Sequence, residues 1–307
     1  MKLPAIENFQ ADFINESWQQ AAEFICRQHK LSVNRLIRAA HGESIIFLAD
    51  KRFVVKIYIP NKKGFEREKA ALELARTSLK IPEIEAIGEI EGYKYLIMTQ
   101  LEGELMTRES WLKLETGEQI QILGQLATGL KELHASDSSK IAFDWDKFIV
   151  QQAETCFERQ KKCGVNEKVL SEIPHYLEEN LKLLPANVEP VFMHGDVHFG
   201  NLRLLKSGGR WQISGLFDFA DSLKGFHEYE FLAVGLLMIQ GQGNLQREFF
   251  RANGYGDSQI NDELRRRLML LTMFYECSDL RRYAIRLRPE AVDYSLLELE
   301  QAIWNFC

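Results

Sequence analysis

The chain has 307 residues, 46% of them hydrophobic and 27% charged, with a formal net charge of −6. That is ordinary for a water-soluble chain long enough for one large domain or two modest ones, and the acidic balance argues against nucleic acid, which is gripped by surplus Lys and Arg. No apolar run reaches the ~18 residues of a membrane span, the opening MKLPAIENFQADFINESW lacks the apolar core of a secretory signal, and five scattered cysteines (Cys26, Cys156, Cys163, Cys277, Cys307) without a CxxC pair favour reduced thiols and a cytoplasmic setting over a disulfide frame or a zinc site.

Residues 11–29 carry Phe13, Ile14, Trp18, Ala21, Ala22 and Ile25 at helical spacing and predict an opening helix. The period then changes. SIIFLAD and RFVVKIYI, turned at Asp50-Lys51, read as a hairpin. FEREKAALELAR is rich in helix formers. IPEIEAIGEI and YKYLIMTQL make a second strand pair, turned at Glu91-Gly92. After residue 101 the composition shifts. Helices are expected over 118–134, 146–162 and 166–184, with a short apolar run, EPVFMHGD, and two short strands, NLRLL and WQISGLFDF, after them. The remainder reads as helix: EYEFLAVGLLMI, then 262–284 as one element, then YSLLELEQAIWNF. The expected fold class is α+β, with a small β-rich lobe over 1–100 and a larger, mainly helical lobe over 101–307.

The densest chemistry lies in HGDVHFGN, residues 194–201. His194, Asp196 and His198 alternate, so on a strand they would share one face and suggest a metal cluster. The other five histidines fall in no recognised ligand spacing, which weakens that reading. GxSxG is absent, since GESII has Ile46 where the second glycine belongs. GxxxxGK[ST] is also absent, and GQGNLQ at 241–246 follows a helix and lacks a third glycine. The alternative is a phosphoryl-transfer loop. That chemistry needs a carboxylate to orient the attacking hydroxyl, oxygen ligands for Mg²⁺, and a cation on the nucleotide phosphates. The chain offers such parts in order: Lys56 inside the strand VVKIY, Glu68 in the next helix, Asp196 and Asn201 in the loop, and Asp218 ending ISGLFD. A charge amid GLFDF is costly to bury unless it is paired or bound to a metal.

HGDVHFGN followed by GLFDFAD resembles the aminoglycoside phosphotransferase family, and the resemblance runs from about residue 30 to the last helices. FDFADSLKGFHEYEFL and the REKAALELA to EGE stretch look like the members of that family that phosphorylate hygromycin B. The resemblance implies the two-lobed protein-kinase-like fold and an ATP- and Mg²⁺-dependent kinase, with GTP as the alternative nucleotide. It implies Asp196 as catalytic base, Asn201 and Asp218 as metal ligands, Lys56 on the α- and β-phosphates and Glu68 as its ion-pair partner. Glu66 is the rival partner; REKAAL matches the family pattern better with Glu68. Gly42 and Ser44 of HGES stand where the phosphate-covering loop belongs, and Met98, Thr99, Gln100 and Leu101 would form the hinge facing the adenine. His194 is expected to brace the loop, and Gly195 and Gly200 to permit its turns.

The implied acceptor is a hydroxyl of a small cationic molecule, an aminoglycoside antibiotic such as hygromycin B, which gives the protein a resistance role. Carboxylates should face it, and the candidates are Asp221, Glu228, Glu276 and Asp279, with His198 beside them. Glu276 and Asp279 lie three apart, on one face of the expected helix. Glu230 is expected to support the fold. The same fold also phosphorylates choline, amino alcohols and sugars, so a metabolite kinase is the second reading. A non-catalytic kinase-like module is the third, and it should lack Lys56, Asp196 or Asp218, all of which are present. Neither a nucleic acid nor a membrane is expected as partner.

Overall fold

In the computed structural model, which describes residues 3–6, 9, 13–39, 42–60 and 63–306, the β-branched runs of the first third build one antiparallel sheet. Its strands are β1 (Leu36–Arg38), β2 (Ile45–Ala49), β3 (Phe53–Ile57), β4 (Ile84–Ile90) and β5 (Tyr93–Thr99), in the order β1-β2-β3-β5-β4. Both hairpin turns fall where the sequence places them. Asp50 and Lys51 have φ of 52° and 56°, and Glu91 and Gly92 have 47° and 85°. Two consecutive left-handed residues match the twist of the flanking strands. Asp50 tolerates this because its carboxylate accepts the Asn34 and Arg35 N–H groups, each at 2.8 Å.

One face of the sheet packs on helix α1 (Ser17–Gln28), which begins later than its periodicity suggests. Residues 11 and 12 of that expected helix lie outside the described residues, as do His41 of HGES and Cys307. Trp18, Ala21, Ala22 and Ile25 of α1 bury against Phe47, Val55, Ile57, Tyr93 and Tyr95. Strand alternation sends Lys56 and Tyr58 to the opposite face, toward helix α2 (Gly64–Leu74).

The rest of the chain is mainly helical. After β6 (Glu104–Leu105) and α3 (Arg108–Leu112) come α4 (Thr116–His134), α5 (Trp145–Lys162) and α6 (Glu167–Asn180). Helix α4 buries Ile122, Leu123, Leu126, Ala127, Leu130 and Leu133 at the centre of the larger core. Strand β7 (Val191–Met193) pairs with β10 (Leu223–Gly225), and β8 (Leu202–Ser207) pairs with β9 (Arg210–Leu216). Then follow the short α7 (Phe231–Ala233), α8 (Gly243–Ala252), α9 (Asp262–Phe274), α10 (Leu280–Leu287) and α11 (Leu296–Ile303). A small sheet followed by a helical remainder is the α+β class expected from the sequence.

Two expected helices differ. The single helix over 262–284 is broken at 275–279: α9 ends at Phe274, and Asp279 caps α10 by accepting the Arg282 N–H at 2.8 Å. Residues 228–239 are a 3₁₀ turn, three α-helical residues and a π turn over Val234–Ile239. Gly235 of that turn lies against Trp304, where a Cβ would come within 2.4 Å of the ring. Among the described residues no helix is long and apolar enough to cross a membrane.

Candidate active site

Strand β3 and helix α2 bring Lys56 and Glu68 together at a buried point. Lys56 Nζ donates to Glu68 Oε2 at 2.6 Å and to Asp218 Oδ1 at 2.6 Å. A buried ammonium is costly unless paired. Burial pushes the Lys56 ammonium pKa down, but Glu68 and Asp218 outweigh that and raise it on balance. The Glu68 carboxylate is fully engaged: Oε2 also accepts the Tyr58 hydroxyl at 2.6 Å, and Oε1 accepts the Phe219 N–H at 3.2 Å. Glu66, the rival partner, pairs at the surface with Lys94.

Asp218 follows β9 with φ 66° and ψ 64°, a left-handed conformation that Asp adopts more readily than most residues. Burial pushes its carboxyl up, and Lys56 outweighs this to hold it below the ordinary value.

Strand β7 delivers the loop 194–201, which is not itself a strand. The buried Glu230 carboxylate accepts the His194 N–H at 2.7 Å and the Gly195 N–H at 2.9 Å. The His194 ring faces the Phe217 carbonyl through Nε2 at 3.0 Å and accepts the Asp196 N–H at Nδ1, at 3.3 Å. These partners assign the Nε2–H tautomer and leave His194 as a brace. Gly195 has φ 89°, and a Cβ there would lie 2.4 Å from the Asp221 carbonyl oxygen. Asn201 Nδ2 donates to the Asp196 carbonyl at 2.9 Å and to Asp196 Oδ2 at 3.2 Å. No hydrogen bond engages its Oδ1 among the described residues.

Asp196 is therefore held from several sides. Tyr275 donates its hydroxyl to Oδ1 at 3.3 Å, and His198 Nε2 lies 3.4 Å from Oδ2. His198 Nδ1 accepts the Gly200 N–H at 2.9 Å, so its Nε2 carries the proton. Burial pushes the Asp196 carboxyl up, and His198, His194 and Tyr275 bring it below the ordinary value on balance. The group stays ionised and half-exposed, as a proton acceptor requires.

Asp221 behaves oppositely. It is exposed, yet its packing and the charges of Asp196 and Asp218 push its carboxyl up to about 6. The folded state then binds this proton more tightly than the unfolded chain, so stability falls as pH rises from about 4 through 6. Asp221→Asn should raise the urea midpoint above that of the wild type at pH 7, and the gain should vanish below pH ~4. An equal gain at both pH values would refute the assignment.

The other acceptor candidates separate. Glu228 is buried and gripped by Arg267 through Nε and Nη2, both at 2.7 Å, with the Tyr255 hydroxyl at 2.9 Å, so it is committed to the fold. Asp279 is a helix cap. Glu276 is exposed in the break after α9, where its N–H donates to the Tyr229 hydroxyl at 3.1 Å, so the shared helical face expected for it and Asp279 does not exist. Gly42, with φ 143°, and the half-buried Ser44 precede β2, and the charge of Glu43 between them is felt at Asp221. In the hinge, the Thr99 and Gln100 N–H groups donate to Glu83 and Arg52, while no such bond engages the Leu101 N–H among the described residues. The Met98 side chain joins the larger core, and Leu101 packs on Gly215.

The sequence missed Tyr58 and Tyr275. Tyr58 had a signal, since it sits two positions from Lys56 on the same face of a strand; Tyr275 had none. Among the described residues no three His, Cys, Asp or Glu side chains are grouped to hold a metal, which removes the His194–Asp196–His198 cluster. Asn201 and Asp218 do present hard oxygens, which suits a cation that takes its remaining ligands from phosphate and water. A concavity of about 190 Å³ lined by Trp145, Ile149, Leu184 and Phe226 lies apart from all these groups, so the site is marked by its chemistry rather than its depth.

A family model described as "Phosphotransferase enzyme family" matches residues 37–270, well over half of the chain. No curated protein matches the chain by sequence. Several solved structures share its fold. Wild-type aminoglycoside 2'-phosphotransferase-IIIa in complex with GDP aligns with a TM-score of 0.69 at 16% identity, covering 94% of this chain and 98% of that one. ADP-bound aminoglycoside phosphotransferase APH(2'')-Ib gives 0.61 at 23% identity, covering 92% and 98%. A thermostable mutant of APH(4)-Ia, in a ternary complex with ADP and hygromycin B, gives 0.61 at 18% identity, covering 92% and 97%.

Proposed function

Because the chain belongs to the APH phosphotransferase enzyme family, we propose that it transfers the terminal phosphoryl group of ATP to a hydroxyl of a small cationic acceptor of the aminoglycoside class. The observation that carries this reading is the convergence of Lys56, Glu68, Asp196, Asn201 and Asp218 from two distant parts of the chain. In it, Lys56 leaves Asp218 to grip the α- and β-phosphates while Glu68 keeps hold of its ammonium. Asp196 accepts the hydrogen bond of the acceptor hydroxyl and takes its proton as the oxygen bonds to phosphorus. ADP departs with the electrons of the broken P–O bond. Asn201 and Asp218 would hold Mg²⁺, whose charge neutralises the phosphate oxygens. The hinge at 98–101 meets the base through backbone groups, with GTP as the alternative nucleotide. Residues 1–100 form the nucleotide-covering lobe and 101–307 the acceptor lobe.

Asp221 and Glu276 remain as the exposed acids for the acceptor's ammonium groups. Of the four acids named from the sequence only these two are exposed, and an amino alcohol or choline-like metabolite, with a single ammonium group to meet, is the second reading. The similar structure that holds hygromycin B makes that drug the first acceptor to try, and an ATP-dependent resistance kinase would work in the cytoplasm. The test is coupled ADP release with ATP, Mg²⁺ and a panel of hygromycin B, kanamycin, streptomycin, choline and amino alcohols. Turnover with a drug supports a resistance enzyme. Turnover with a metabolite alone selects the second reading, and neither turnover nor ATP binding overturns both. Asp218→Ala should abolish the Mg²⁺ dependence of ATP binding in a calorimetric titration. Unchanged dependence would remove Asp218 from the metal.

A further inference from the structure

Tyr58 directly follows β3, two positions after Lys56 in the same extended run, and both side chains point to the α2 side of the sheet. Its hydroxyl and the Lys56 ammonium donate to the same oxygen, Glu68 Oε2, each at 2.6 Å. The ammonium also lies 5.2 Å from the centroid of the Tyr58 ring. That ring is itself fixed, edge-on to Phe65 of α2 with centroids 5.4 Å apart. Glu68 is 1% exposed, whereas the Asp218 side chain is 41% exposed. Lys56 is thus shared between one buried, fully hydrogen-bonded carboxylate and one that faces solvent.

We infer that Tyr58 is a positioning residue for nucleotide binding: it pins the carboxylate oxygen on which Lys56 pivots from Asp218 to the incoming phosphate. The inference rests on the reading of Lys56 as the phosphate ligand. As the ammonium swings, the Coulomb attraction pulls Glu68 after it. The phenol hydrogen bond and the Phe219 N–H hold the carboxylate in place, so the swing stays short and the ammonium stays aimed. Burial and the Glu68 charge push the phenol well above its ordinary value, which keeps it a donor. Without the hydroxyl, Oε2 loses a charge-assisted donor and α2 loses one of its ties to β3.

The test uses the full chain and ADP with Mg²⁺ in isothermal calorimetry, so that no acceptor is needed. Tyr58→Phe keeps the ring packing, and its thermal midpoint checks the fold. Its dissociation constant for ADP should rise about tenfold, the size expected for one lost charge-assisted hydrogen bond. In a Glu68→Gln background the same change should add little, because the oxygen it positions is no longer charged. A merely structural role would lower the thermal midpoint in both backgrounds and leave ADP affinity unmoved. Unchanged affinity, or an equal loss in both backgrounds, overturns the inference. Lys56→Met separates the two levels: if it binds ADP as the wild type does, the reading of Lys56 fails and the inference falls with it. If Lys56→Met loses binding while Tyr58→Phe does not, only the role of Tyr58 is wrong.

Discussion

Replacing Asp196 by alanine should lower phosphoryl transfer by about 10²–10⁴-fold, the usual contribution of a positioned general base, while nucleotide affinity stays near wild type. The carboxylate is the one acidic group held by Asn201, Tyr275 and His198 at once. Lys56 and the hinge make none of those contacts, and Asn201 keeps its bond to the Asp196 backbone carbonyl, so nucleotide binding should survive the loss. Asp196→Asn is the sharper variant: it keeps the shape and one acceptor oxygen but cannot take a proton. Single-turnover kinetics with saturating ATP separate chemistry from binding, and near-wild-type turnover in either variant would end the base assignment. The sign of the pH dependence follows from the depressed carboxyl. Protonation of Asp196 should not slow the reaction until pH falls below about 4, so any slowing above that belongs to another group, Asp221 first.

Glu230→Ala should damage both stability and rate. Glu230 is 1% exposed, and its two oxygens take the N–H groups of His194 and Gly195. Removing it strands two buried donors, each costing about 1–3 kcal/mol, offset in part because a buried carboxylate is itself costly to desolvate. A net loss of about 2–5 kcal/mol is expected in urea unfolding. Those two N–H groups immediately precede Asp196, so the loop should also shift, and a misplacement of ~1 Å can cost ~10²-fold in rate. Glu230→Gln retains an acceptor for one donor and should fall between. A wild-type midpoint in Glu230→Ala would show that the loop is held by other means.

The sheet was legible because its physics is local. Alternating β-branched runs and the Asp50-Lys51 and Glu91-Gly92 turns fix both hairpins without reference to the rest of the chain. Lys56 and Glu68 were legible as an ordered pair, and the surface contact of Glu66 with Lys94 shows why the rival fails. What escaped depends on distant partners. YECSD contains neither Gly nor Pro, so nothing local announces the break at 275–279 that carries Tyr275 to Asp196. Glu228 and Glu230 sit in the same apolar stretch and look alike. Only Arg267, from α9, commits the first to an ion pair, and only β7 gives the second a loop to hold.

Glu68 ties α2 to Lys56 on β3 and to the Phe219 N–H beyond Asp218. One side chain thereby joins three stretches of chain far apart in the sequence, so a substitution that tilts α2 would move the Lys56 ammonium and the Asp218 turn together.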